Sequence, residues 1–143
     1  MKFKQFNPKE ISIKEAYHLL IGFSGSAQNT GALLSQEQAL RLVDSLYIEI
    51  NKEVDLGFDL VSVFSRFALD FSIDPSVKNN QGALGWVPWG QTIMSFQKPL
   101  FELEKNTLSA PLLTDFGYHL ILVSDVRPSD YQYMSNDEYE SVI

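Results

Sequence analysis

The spacing of apolar residues switches between two periods along this chain, and each switch marks a structural element. Leu120-Ile121-Leu122-Val123 is an unbroken apolar run, short and partly β-branched, which predicts a strand buried on both faces. Ala16-Tyr17-His18-Leu19-Leu20-Ile21 nearly repeats Gly117-Tyr118-His119-Leu120-Ile121-Leu122, and predicts a first strand at about 14–22. Between the two the period becomes helical. Ser35-Gln36-Glu37-Gln38 forms a capping box. Behind it Ala39, Leu42, Val43, Leu46 and Ile50 share one face, with Arg41, Asp44, Glu49 and Lys52 on the other, so a helix should run to about Glu53. A second helix starts near Asp59, with Leu60, Val63, Phe64, Phe67 and Phe71 at core spacing. Pro75 ends it by disfavouring helical geometry at Asp74.

The second half of the chain is built of shorter pieces. Asn79-Asn80-Gln81-Gly82 predicts a turn, 84–87 a short strand and Pro88-Trp89-Gly90 another turn. Ser95 is expected to cap a short helix carrying Phe96, Leu100 and Phe101, with Pro99 near its first turn. Asn106 suits the left-handed position of a tight turn at 104–107, and 108–113 is extended, with Pro111 marking an edge or bend. Of the two tryptophans, Trp86 is expected in the core and Trp89 at an exposed rim. Residues 1–13 read as a lead-in, 14–125 as one domain, and 126–143 as an acidic, tyrosine-bearing tail or linker. Strands clustered late, with the main helices inserted after the first strand, predict an α+β fold rather than alternating βαβ units.

Composition narrows the function. A net charge of -7 over 143 residues excludes the basic face that nucleic-acid binding needs. No run of about 18 apolar residues is present, so no membrane span is expected. The absence of cysteine excludes disulfides, thiol catalysis and zinc–thiolate sites, but leaves the compartment open. The first residues lack the apolar stretch of a secretory signal, which reads as cytoplasmic for the chain as given.

Gly22-Phe23-Ser24-Gly25-Ser26 only superficially matches a nucleophile elbow, because Ser26 stands where the last glycine is required. The two histidines carry more. A lone histidine in a buried strand is usually a satisfied core residue, and His119 must find partners for its ring nitrogens in a dry place. The only other histidine, His18, sits in the matching string, which points to one site shared between neighbouring strands. His18, His119 and Asp74 have the ligand types for a metal but no ligand spacing, so neither metal nor cofactor is expected.

From Phe71 onward a set of motifs appears in order: Ser72-Ile73-Asp74, Gly82-Ala83-Leu84-Gly85, Gly90-Gln91, Phe96, and Thr114-Asp115-Phe116-Gly117-Tyr118-His119-Leu120. Together with Ala16-Tyr17-His18-Leu19-Leu20 they make the chain resemble a parvulin-type (rotamase, PpiC-like) peptidyl-prolyl cis–trans isomerase domain over about 15–125. The resemblance implies a parvulin/FKBP-like fold, a four-stranded mainly antiparallel sheet wrapped by about three to four helices. It implies that His18 and His119 pair at the floor of the site and that Thr114 hydrogen-bonds into the pair. Asp74 would face the prolyl peptide bond, and Leu84, Phe96 and Phe116 would line the proline pocket. Thr92 stands where a methionine usually completes that pocket, and Met94, two residues on, is a candidate to replace it. Ala83, Gln81 and Asn106 also depart from the family's common residues.

The implied partners are proline-containing unfolded or extended polypeptides. The implied activity is non-covalent rotation of Xaa-Pro bonds with no phosphate direction, since 22–34 holds no Lys or Arg. The alternative is a weak or inactive parvulin-fold module that holds chains within a larger folding factor. Bacterial members of this Thr-x-Phe-Gly-Tyr-His kind often belong to periplasmic or envelope folding factors, so the chain is also read as a possible excised domain of one.

Overall fold

A computed structural model describes residues 12–28 and 33–128. The first strand, β1 (Ser12–Ile21), is followed by two helices, α1 (Gln36–Asp55) and α2 (Leu60–Phe71). A single-turn helix α3 (Val77–Asn80), strand β2 (Ala83–Pro88) and helix α4 (Met94–Glu102) follow. The chain then makes two very short strands, β3 (Thr107–Leu108) and β4 (Leu112–Thr114), before the long β5 (Gly117–Pro128). The fold is α+β with an antiparallel sheet in the order β2-β1-β5-β3, and β4 also pairs with β5. The sheet has five strands where four were expected. The extended 108–113 segment divides around Pro111 into two strands that pair with different halves of β5, Thr107 opposite Val123 and Leu112 opposite His119.

Period-2 alternation explains why the apolar runs are continuous. Leu19, Ile21, Leu120 and Leu122 face α1 and α2, packing on Val43, Leu46, Ile50 and Phe64. Ala16, Ile121 and Val123 face the other way, toward Phe96, Leu100 and Phe101 of α4. Both faces of β5 are therefore covered, and its residues from Gly117 to Val123 are all buried. Ser35 caps α1 with both reciprocal bonds of the capping box, and Asp59 caps α2 by accepting from Ser62 N–H at 3.0 Å.

Several local expectations change. Asn79 and Asn80 belong to α3, and the turn is confined to Gln81 (φ 53°) and Gly82 (φ 88°). Ser95 lies inside α4; the N-cap is Ile93, with no side-chain cap. Pro99 is well past the first turn of α4, and the Ser95 carbonyl that loses its partner belongs to an exposed residue that water can satisfy. At the other end of α4 the buried Lys14 ammonium donates to Phe101 O at 3.0 Å and to Leu103 O, holding the helix on the sheet. Neither tryptophan is where it was expected, for both are half-buried. Trp89 packs edge-on to buried Phe101 at 5.3 Å, whereas Trp86 lies beneath the Arg127 guanidinium, 4.3 Å from its ring centre. β5 continues to Pro128, opposite Ser12, three residues beyond the expected boundary at 125. Most of the lead-in and the tail from 129 lie outside the described residues.

Candidate active site

The strand pattern alone brings the two histidines together. His18 lies opposite Ile121 and His119 opposite Leu20, so they are diagonal neighbours on adjacent antiparallel strands. Both sit on the face that meets α4, one residue out of phase with the leucines facing α1 and α2. Their Nδ1 atoms are 3.3 Å apart and their rings lie 5.5 Å between centres at 23°. Phe96 of α4 presents its ring roughly edge-on to both, at 5.9 Å from His18 and 5.2 Å from His119.

Each outer nitrogen is also engaged. His18 Nε2 is 2.8 Å from Asp74 Oδ2, and His119 Nε2 is 2.7 Å from Thr114 Oγ1. Thr114 Oγ1 in turn accepts Phe116 N–H at 3.1 Å. Asp74 is placed by backbone pairing of its own segment with β1: Ile73 N–H donates to Leu20 O and Leu20 N–H to Ser72 Oγ. Gly82 approaches from the same edge, its carbonyl accepting His18 N–H at 2.9 Å, and a Cβ there would meet His18 O at 2.7 Å. This is why the turn needs glycine.

Donor and acceptor accounting gives one consistent order for the protons. The Asp74 carboxylate can only accept, so His18 carries hydrogen on Nε2. The Nδ1–Nδ1 contact holds one proton between the rings; with that proton supplied by His119, its Nε2 is an acceptor and takes the Thr114 hydroxyl hydrogen. His119 then holds its proton on Nδ1 and donates it to His18 Nδ1. The result is a one-way chain, Phe116 N–H to Thr114 to His119 to His18 to Asp74, with His119 neutral. Burial, followed by the charge His18 would carry, pushes the His119 pKa down to about 3, against an opposing pull from Asp74. Burial would raise the Asp74 carboxyl, but Ser76 N–H, the His18 ring and the Ser76 hydroxyl outweigh it and hold the carboxyl below its ordinary value.

A pH prediction follows, with its sign. The folded-state pKa of His119 lies below its unfolded value of 6.5, so the associated stability is complete above that value and drains away as pH falls toward 3. Depressed Asp74 acts in the same direction at lower pH. Urea midpoints measured between pH 7 and pH 4.5 should fall, with a slope in free energy approaching about 1.4 kcal/mol per pH unit. A His119→Gln variant should show a flatter profile.

Above the pair opens a cavity of about 220 Å³ lined by His18, Leu84, Thr92, Ile93, Phe96, Phe116 and His119. Of the residues expected at the site, Leu84, Thr92, Phe96 and Phe116 line the cavity, and Thr114 lies beneath it through His119. Asp74 does not line it; both its oxygens are turned to His18 and Ser76. Met94 does not line it either. As the first residue of α4 it is 56% exposed, with its sulfur 3.9 Å from Gln97 Nε2. The wall is completed instead by Ile93, which sequence reasoning passed over; its signal was an aliphatic residue directly beside Thr92.

Thr92 does not make the cavity polar. Its Oγ1 has essentially no accessible surface and no hydrogen-bond partner among the described residues, so only carbon faces the opening. Thr92→Val should therefore stabilise the protein by about 1 kcal/mol, by removing an unpaired buried hydroxyl at unchanged shape; thermal melts of the two proteins check this. The ring nitrogens of His18 and His119 are bonded to each other and to Asp74 and Thr114 rather than aimed at a common point. Among the described residues no group of three or more acidic or histidine side chains is arranged to hold a metal ion.

The family model described as the PPIC-type PPIase domain matches residues 2–127. The chain belongs to this family. Among its relatives, a protein named chaperone SurA from Methylobacillus flagellatus is 32% identical over 124 residues, 87% of this chain and 25% of that protein. A foldase protein PrsA from Geobacillus kaustophilus is 38% identical over 74 residues, 52% of this chain and 26% of that one. The structure of the peptidyl-prolyl isomerase Ess1 from Candida albicans superimposes with a TM-score of 0.67 at 19% identity, covering 79% of this chain and 63% of the other. That likeness is one of fold. The PPIase domain described here spans about a quarter of the length of the foldase and chaperone it matches.

Proposed function

We propose that this PPIC-type domain accelerates cis–trans rotation of Xaa-Pro bonds in unfolded or extended polypeptides. The observation that carries the reading is the cavity itself, apolar-walled and floored by a hydrogen-bonded histidine pair. At about 220 Å³ it is roomy enough for a pyrrolidine ring, since a cavity of about 150 Å³ admits benzene.

Rotation about a peptide bond costs roughly 18–20 kcal/mol. An acceleration of about 10⁴- to 10⁵-fold requires roughly 5–7 kcal/mol of that, with no covalent step. Leu84, Ile93, Phe96 and Phe116 would strip water from the planar amide, whose charge separation water favours, and grip the ring while the carbonyl swings. His18 and His119 would give the floor a fixed tautomer and a fixed field. Asp74 acts in this reading by locking His18 rather than by facing the peptide bond.

The test is cis-to-trans relaxation of Ala-Xaa-Pro-Phe peptides. Rate enhancement proportional to protein concentration is expected, and none at micromolar protein would sink the enzyme reading. Because 22–34 carries no Lys or Arg, a phosphoserine or glutamate before proline should give no advantage over an apolar residue. A tenfold gain with the phosphorylated peptide would refute that part.

A second reading, a domain that holds chains without isomerising them, draws support from a relative's name, chaperone SurA. It is also supported by exposed Leu84 and Ile93 at the cavity, with exposed Met94 directly after Ile93. Peptide binding without rate enhancement would favour it. The foldase and chaperone relatives support placement within a longer folding factor. They lend nothing to the cytoplasmic reading. Among the described residues, no helix is long and apolar enough to cross a membrane.

A further inference from the structure

A second groove, of about 380 Å³, lies beside the proline cavity and is absent from the reading above. The two share the turn between β4 and β5 and the first turn of α4, each of which contributes a residue to both. Phe116 and Phe96 face the cavity, while Thr114, Asp115 and Ser95 face the groove. Neighbouring residues of a peptide are about 3.8 Å apart at Cα. Because Asp115 and Phe116 are consecutive, as are Ser95 and Phe96, the groove is the neighbouring depression that a side chain adjacent to a proline in the cavity would meet.

The groove is amphipathic in a particular way. One part of its wall is carbon, from Phe23 and the half-exposed Leu113, and the rest is oxygen-rich, from Gln36, Ser95 and Asp115. Its only formal charge is negative. The Asp115 carboxylate makes no ion pair or hydrogen bond with any described residue, although the Asp115 carbonyl accepts Ala27 N–H at 2.7 Å and so fixes the turn against the loop. Among the described residues no Lys or Arg lines the groove; Arg41 on α1 is engaged with Glu37 at 3.0 Å, and Lys98 on α4 is not part of the wall. A side chain that satisfies such a groove has an apolar stem ending in a cation, which describes lysine and arginine.

We propose that this groove is a specificity site for a lysine or arginine adjacent to the substrate proline, with Asp115 receiving the cation. The proposal rests on the isomerase or peptide-binding reading and adds the substrate class. It is tested with two peptide series, one varying the residue before proline and one the residue after it, each with Lys, Ala or Glu. In at least one series the Lys peptide should exceed the Glu peptide in kcat/KM by about fivefold, the size of one partly exposed charge pair, and added salt should narrow the gap. Asp115→Asn should bring the Lys:Glu ratio in that series to about one, and Asp115→Lys should invert it.

The ratio is read within each variant, so a general loss of activity does not imitate the result. If no peptide is accelerated, the isomerase reading fails, and the same ratios are taken from peptide affinities by fluorescence anisotropy. Equal rates or affinities for Lys and Glu peptides in both series would overturn the groove proposal while leaving the isomerase reading intact. So would a Lys preference that survives Asp115→Lys.

Discussion

Gly117→Ala should be among the most damaging single-methyl additions this domain can receive, costing about 4 kcal/mol from backbone strain and overpacking together. Gly117 opens β5 at φ 135°, in a region that L side chains rarely adopt. A Cβ there would sit 2.4 Å from Ile21 O and 3.0 Å from Gly22 Cα. Backbone cannot swing aside as a flexible side chain does, so β1 and β5 would have to part at the point where they converge on the histidine pair. Thermal melts and peptide turnover should fall together. A variant that melts within about 1 kcal/mol of the parent would show that the β1–β5 crossing is looser than described.

His119→Ala carries the second large effect. The ring is buried, with one nitrogen on Thr114 and the other on His18, and its edge contact with Phe96 fixes that side chain's seat. Truncation leaves a cavity and two unpaired polar groups, and should cost about 3–4 kcal/mol while lowering kcat/KM at least about tenfold. Adding Thr114→Val should cost less in this background than in the parent, because the bond to His119 is already gone and only the one from Phe116 N–H is lost; the double-mutant cycle would be non-additive. Unchanged denaturant midpoints in His119→Ala would count against a buried, hydrogen-bonded pair.

Much of this site could be read from the sequence because two strands announce themselves by the same string. Tyr17-His18-Leu19 and Tyr118-His119-Leu120 are each too apolar for surface strands, and antiparallel pairing of two such strings places the histidines diagonally on one face. The α1 capping box and the Phe64 face of α2 were legible for a similar reason, since local hydrogen bonding and periodicity need no distant partner. What escaped depends on distant partners. The direction in which Met94 points is set by the α4 start at Ile93, and the α4 N-terminus has no side-chain cap to announce it. Trp86 and Trp89 stand three residues apart on either side of the end of β2, and only the placement of α4 decides which one meets Phe101. Thr92 looked polar as a residue type, yet its hydroxyl is turned away from the opening.

The sheet order has a consequence for how the domain comes into being. β5 is the last strand of the described chain, yet it pairs with β1, β3 and β4, and supplies apolar side chains to both faces. During synthesis α1 and α2 emerge early with nothing to pack on but β1, whose partner Ile121 for His18 lies about a hundred residues ahead. Loops of that length close late, and pairings of that span slow folding. Until β5 leaves the ribosome, the apolar faces of both layers stay open, which is the state that aggregates and that chaperones bind. On this topology, a domain proposed to speed the folding of other chains would itself be held waiting for its final strand.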